Sequence, residues 1–462
     1  MADRPHILIL MPDQFRHDCL SCAGHPLIKT PNIDEIASRG VRLSQATTVS
    51  PVCMPARASF INGLYPHNHG MWGNAGQMPA DDETFFQMLQ RAGYRTAHVG
   101  KSHYYPHGGG HMRDHEPYMR ARGIEDVHEV TGPRATKTTR SYMTDELESR
   151  GLYEAFKEDY AERFATRDPF FVRPSPLPSE EFLDSYVGRT AFDYIQAYDD
   201  ARPMCLFVGF PGPHEPWDAP GEYATLYAPA SCPDPIPRSE RNDALPESIA
   251  SMEDFRAMPN STPEAIRAVQ ANYFGKISLI DDWVGNIMDA LKAKGMLDDT
   301  LVVFWSDHGE LLGDHRRVYK GTFHESAMRV PMIVSWPKRF AANVVSDTLC
   351  EIIDVFPTVL DVCGVEPSKR AQGASLVPVL EGALDLTAPS QLSEIRHAGE
   401  RRMCLRTRAH KYAVRQSGVG YMLYDLANDP NEQDNLIGKD FALEARMREL
   451  LFARLVEAQW SM

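Results

Sequence analysis

Cys53 lies in the run Ser50-Pro51-Val52-Cys53-Met54-Pro55-Ala56-Arg57, a thiol four residues ahead of a guanidinium. A lone cysteine is more often a small buried hydrophobe than a nucleophile, so its meaning depends on what else the chain offers. Asp13-Gln14 and Asp307-His308 offer two carboxylates, an amide and an imidazole. Such a set suits a divalent cation: the oxygens favour calcium or magnesium, and the imidazole widens the choice to manganese. Arg57, Lys101 and Lys320 supply positive charge, the first as a fixed fork able to bridge a nucleophile and ester oxygens, the others as point charges. His103 and His214 suit proton transfer, because imidazole titrates near neutrality. The chain has 17 His, so most must be structural. His67, His69, His107, His111 and His115 lie near the motifs without an assignment, and His324, just after Lys320, is held in reserve as a substrate contact.

Composition narrows what such a site serves. The 462 residues carry a formal net charge of −15 with 43% hydrophobic and 10% aromatic residues, a globular balance that makes nucleic acid and anionic membranes poor partners. An anionic substrate therefore needs cations focused locally. No window reaches the apolar length of a membrane span. His6 to Met11 is too short and wrongly flanked for a signal peptide. The eight cysteines follow no framework spacing, which favours reduced thiols and a cytoplasmic setting. Cys19-x-x-Cys22 lacks the second pair or His set that a zinc site needs.

The elements that must position these groups read as alternating strands and helices. Apolar runs predict strands at His6–Met11, Thr96–Val99, Met204–Phe210, Leu301–Trp305 and Pro331–Trp336. Helices are predicted from Pro31, around Glu83–Arg91, over Asp184–Tyr198 and from Pro263 to about Lys294, the last with Ile266, Tyr273, Ile277, Ile280, Val284, Ile287 and Leu291 along one face. This pattern predicts an α/β fold with a large, mostly parallel sheet sandwiched by helices. Residues 105–178 and 211–263 read as long loops over the strand ends, where substrate selection would lie. After about residue 375 short strands at Met403–Thr407, Lys411–Arg415 and Tyr421–Leu426 and a final helix at Phe441–Glu457 predict a small C-terminal subdomain with an antiparallel sheet. The expected division is 1–375 for the catalytic α/β domain and 376–462 for the subdomain. Ligands of open α/β sheets bind beyond the carboxyl ends of the strands. Asp13, Lys101, His103, His214 and Asp307 each follow such an end.

From Cys53 the pattern Cys-x-Pro-x-Arg continues through Ala58-Ser59-Phe60 and Gly63-Leu64-Tyr65-Pro66-His67. This run resembles the signature of the type I sulfatases of the alkaline phosphatase superfamily. The likeness extends to Leu423-Tyr424-Asp425-Leu426-Ala427-Asn428-Asp429-Pro430, similar to the family's C-terminal strand and turn. It implies an alkaline-phosphatase-like fold and hydrolysis of a small-molecule sulfate ester. It further implies that a maturation enzyme oxidises Cys53 to formylglycine, whose hydrated aldehyde is the nucleophile. Asp13, Gln14, Asp307, His308 and residue 53 would hold one divalent metal, calcium first, with manganese or magnesium as alternatives. By the same resemblance Lys101 and His103 flank the nucleophile, Arg57 and Lys101 stabilise its charge, and His214 and Lys320 contact the scissile ester. Gln14 and His308 depart from the Asp pair and Asp-Asn pair common in sulfatases. They resemble phosphonate monoester hydrolases of the same superfamily, so a phosphonate monoester or phosphodiester is the alternative substrate. Relatives often form dimers or tetramers, and a homo-oligomer is compatible with this chain.

Overall fold

The computed structural model describes residues 4–239, 262–383, 389–397 and 399–459. Eight strands form the main sheet: β1 (His6–Asp13), β2 (Val41–Thr47), β3 (Arg95–Lys101), β4 (Asp126–Val130), β5 (Met204–Pro213), β6 (Thr300–Trp305), β7 (Met332–Ser335) and β8 (Val344–Glu351). Their order is β4-β3-β5-β1-β6-β7-β2-β8. All neighbours are parallel except β7, which runs antiparallel to both β6 and β2.

The central strands are continuous apolar runs because both faces are covered. Along β1, Ile7, Ile9 and Met11 enter one core while Leu8 and Leu10 enter the other. Along β6, Leu301, Val303 and Trp305 divide in the same way from Val302 and Phe304. The helix Cys53–Asn62 covers the first face, and the helix Pro263–Ala293 covers the second with Ile277, Ile280, Val284 and Ile287 fully buried. Each such aliphatic side chain contributes about 1.5–3 kcal/mol by leaving water.

A second sheet is antiparallel, in the order β12-β11-β10-β9, from β9 (Gln391–His397), β10 (Glu400–Arg406), β11 (His410–Arg415) and β12 (Gly420–Asp425). The final helix is Phe441–Glu457, as predicted.

Two expectations need correction. Residues 105–178 are not a long loop: they hold β4 and helices at Glu116–Ala121, Tyr142–Ser149 and Tyr153–Ala165. Their helical faces are short and charge-rich, which hid the period. The stretch 211–263 begins as the end of β5, followed by single turns at Gly221–Ala224 and Pro229–Ser231; its portion 240–261 lies outside the described residues. No helix among the described residues is long and apolar enough to cross a membrane.

Candidate active site

Cys53 opens its helix. Val52 is the extended N-cap (φ −146°), Pro55 falls within the first turn where its missing N–H costs nothing, and Gly63 closes the helix in the left-handed region (φ 71°). The thiol therefore sits at the positive end of the helix dipole. Phe60, one face further along, stacks on Trp305 with ring centroids 3.8 Å apart and planes at 13°. That contact locks the helix of Cys53 to the end of β6, from which Asp307 and His308 follow.

On the other side, β3 and β5 approach closely. A Cβ on Gly100 (φ 98°) would stand 2.1 Å from the Gly209 carbonyl oxygen, and one on Gly209 would stand 2.4 Å from that of Lys101. Only glycine allows the two strand ends to come this near. Their closeness brings Lys101 beside Asp13.

Four of the expected residues converge. Donor atoms of Asp13, Cys53, Asp307 and His308 lie within 4.8 Å of one another, all buried. The His308 Nε2 is 3.1 Å from the Cys53 Sγ, while its Nδ1 lies 3.0 Å from the Gly309 carbonyl. The carbonyl can only accept, so Nδ1 carries a proton and Nε2 is the nitrogen turned to the cluster, the orientation that a metal-ligating imidazole requires. Burial opposes a charge on His308, but Asp307 and Cys53 outweigh it and push its pKa up to about 9. A cluster that draws a proton onto a buried ring is a cluster that favours a cation, and its hard oxygens and imidazole fit a divalent one.

Positive charge surrounds the thiol. Burial alone would raise its pKa, yet Lys320, His308 and Lys101 hold it well below the usual thiol range. The Lys101 ammonium bonds Asp13 Oδ2. His103 stands in the left-handed region (φ 58°), within hydrogen-bonding reach of Cys53 and with its Nδ1 otherwise unpartnered; burial, then Lys101, lowers its pKa to about 4. His214 Nδ1 lies 2.8 Å from the Glu215 carbonyl, leaving Nε2 to accept from Lys320 Nζ at 2.8 Å.

Three placements differ from expectation. Arg57 lies behind Cys53, its guanidinium spent on Asp307 Oδ2 (2.8 Å), Asp13 Oδ2 (2.9 Å) and the Lys101 carbonyl (2.7 Å). It braces the two carboxylates instead of bridging to an ester. Gln14 directs its backbone N–H to Asp307 Oδ1 (3.0 Å), but its side-chain oxygen accepts from Lys320 and its amide nitrogen donates to Glu215 and Glu310. His324 is buried away from the cavity, bonded to Thr322 Oγ1 at 2.8 Å and packed on His315.

The cavity over the thiol, about 480 Å³, is lined by Cys53, Lys101, His103, His214 and Lys320, and also by His107, Arg134, Glu215 and Tyr319. Glu215 and His107 stand within or beside motifs read from the sequence. Arg134 had no such signal, since it falls in the region taken for a loop.

Comparison with known proteins decides the family. The Sulfatase family model matches residues 5–365, and the model described as N-sulphoglucosamine sulphohydrolase, C-terminal, matches residues 313–459. The chain belongs to the sulfatase family. An arylsulfatase of Clostridium perfringens is 27% identical over 449 residues, covering 95% of this chain and 91% of that relative. A choline-sulfatase of Rhizobium meliloti is 29% identical over 462 residues, covering 94% and 82%. Among solved structures, the phosphonate monoester hydrolase of Agrobacterium radiobacter superposes with a TM-score of 0.80 at 26% identity, covering 98% of this chain and 95% of that one. The sulfatases are sulfuric ester hydrolases, and the mixed eight-stranded sheet with its separate antiparallel sheet is their alkaline-phosphatase-like fold.

Proposed function

We propose that this sulfatase hydrolyses a small-molecule sulfate monoester through a formylglycine derived from Cys53. The observation that carries the reading is the buried convergence of Asp13, Cys53, Asp307 and His308 at the mouth of a helix, ringed by Lys101 and Lys320. Formylglycine supplies a hydrated-aldehyde oxygen as nucleophile and, by reverting to the aldehyde, an exit that a thiol or serine lacks. A divalent cation held by Asp13, Asp307, His308 and the oxygen at position 53, calcium before manganese or magnesium, supplies Lewis-acid polarisation and charge neutralisation. Gln14 joins that ligand set only if its side-chain oxygen leaves Lys320.

The chain's own groups do the rest. Lys101 and Lys320 hold the sulfuryl oxygens, where a point charge is worth most in a desolvated site. Arg57 holds Asp13 and Asp307 in place. His214 turns Nε2 to Lys320, and the Lys320 ammonium stands where the leaving oxygen needs a proton. His103 Nδ1 or Nε2, neutral at working pH, accepts the proton from the remaining hydroxyl at position 53. Residues 1–375 carry this machinery; 376–462 form the C-terminal subdomain. A cytoplasmic setting agrees with the eight unpaired cysteines.

The test is the mass of the peptide containing Cys53 in active protein, where the thiol is replaced by an aldehyde. Cys53→Ala abolishes turnover while the fold is kept. Full activity with an unmodified thiol, or in the alanine variant, sinks the mechanism. The second reading, a phosphonate monoester hydrolase, is favoured by Gln14 and His308 and by the likeness to the Agrobacterium radiobacter enzyme. Rates on phenyl sulfate and on a phenyl phosphonate ester separate the two, and a larger kcat/KM on the phosphonate makes the second the better.

A further inference from the structure

Beside His214 the catalytic cavity opens into a second hollow of about 270 Å³, which shares Arg134, Glu215 and Tyr319 with it. Building on the sulfatase reading, we propose that this hollow binds the alcohol part of the substrate, a flat-faced ring bearing a second negative charge.

The position follows from the site. Glu215 carries the carbonyl that orients His214, and His214 with Lys320 marks the side from which the alcohol departs. A leaving group therefore points into this hollow. Its walls are aromatic: Phe164, Phe171, Trp217 and Tyr319, the last two with parallel rings (13°) at 6.3 Å. Such faces receive a sugar or aryl ring by its apolar side.

The charge follows from which groups are already committed. Arg163 is buried and spent on Asp159 and the Pro174 carbonyl. Glu215 is spent on Arg134, at 2.9 Å from its Nε, and on His214 at 3.1 Å. Asp168 turns Oδ1 to the Phe170 N–H at 2.9 Å, a neutral donor that leaves its negative charge to be outweighed by the cations of the rim. Two arginines stand at the rim, Arg134 paired with Glu215 and Arg167 without an ion pair among the described residues. The Arg134 side chain is 56% exposed, with its guanidinium 5.4 Å above Phe164 and 5.6 Å above Tyr319. Arg167 is exposed and has no ion-pair partner among the described residues. Lys137 adds a third charge 5.3 Å from the Phe164 ring centre. In a chain of net charge −15, such a patch draws an anion and repels an alcohol that carries a cation.

The experiment compares three substrates with the full-length enzyme: phenyl sulfate (neutral alcohol), 4-sulfooxybenzoate (carboxylate) and choline sulfate (cation). The carboxylate substrate has the largest kcat/KM, and Arg167→Glu lowers that value by about 5- to 10-fold, the scale of one surface charge pair. The same variant leaves phenyl sulfate within about 2-fold. Equal kcat/KM on neutral and carboxylate substrates, preference for choline sulfate, or an equal drop on both ring substrates overturns the proposal. Direct binding of 4-hydroxybenzoate against phenol, by calorimetry, reads the hollow without turnover. Tighter 4-hydroxybenzoate binding that Arg167→Glu abolishes, in protein that turns over none of the sulfates, would keep the anion site and remove the sulfatase reading. Turnover without charge discrimination would remove the anion site alone.

Discussion

Arg57 shows what one side chain in this site does. It is 1% exposed and reaches both Asp13 and Asp307 through separate nitrogens of one planar fork. A lysine ammonium cannot span the two carboxylates in this way. Arg57→Lys is therefore expected to cost about 3 kcal/mol of stability, since a buried carboxylate loses its partner. It should also lower kcat by on the order of 10²-fold through misplacement of the same carboxylates. Denaturant unfolding and steady-state kinetics check both; a variant with wild-type kcat would show that the carboxylates hold themselves. The motif made Arg57 legible as a site residue, but its direction was not. A residue four positions into the helix lies one turn beyond Cys53, and only the packing of that helix on β6 settles which way its fork points.

At the scale of elements, the loop after β3 carries His103 in a left-handed conformation, and β4 holds that loop in place. Glu129 on β4 accepts from Ser102 and from Tyr105, the residues on either side of the Ser-His-Tyr-Tyr turn, and lies 3.7 Å from His107 Nε2. Burial pushes its pKa up to about 8, so near pH 7 the folded protein carries Glu129 as the neutral acid. Glutamine keeps that neutral, hydrogen-bonding shape. Glu129→Gln should stay within about 3-fold of wild type, whereas Glu129→Ala should lower kcat by on the order of 10-fold with little change in KM. Wild-type kcat in the alanine variant would remove the positioning role. Glu129 also shows why part of the fold was illegible. Asp-Val-His-Glu-Val lacks the apolar run that announced β1, β3, β5 and β6, because β4 is an edge strand. The edge strand β8 and its neighbour β2 are interrupted by Ser346 and Asp347 and by Arg42 and Ser44, so neither shows an unbroken apolar run. The strand β7 was legible as a strand, but nothing in Met332–Ser335 told its direction. The groups at the ends of the central strands were legible; those supplied by β4 and by the turn that follows it, Glu129 and Arg134, were not.

At the scale of the whole molecule, the C-terminal sheet is fastened to the catalytic sheet by charge near the active site. Glu325, five residues after Lys320, accepts from Arg406 on β10 at 2.8 Å and from Lys411 on β11 at 3.0 Å. Lys411 is fully buried and also pairs with Glu432. Burial would raise the Glu325 pKa, but Arg406 and Lys411 hold it well below the usual carboxylate range. A carboxylate whose folded pKa is depressed binds fewer protons in the folded than in the unfolded state. Its stabilisation is complete above the unfolded value, about 4.5, and is lost as pH falls through the folded value. Glu325→Gln should therefore cost about 3–5 kcal/mol at pH 7, because Arg406 loses its carboxylate and Lys411 one of its two. It should also flatten the fall in stability below pH 4.5, since the titrating group is gone. Urea unfolding of both proteins from pH 7 to pH 3 measures each effect in one experiment. An acid limb as steep in the variant as in the wild type would place the acid sensitivity elsewhere. Buried neutral histidines such as His69, held down to about 3 by burial and then His67, would be the next candidates, and their loss would begin higher, as pH falls below about 6.5.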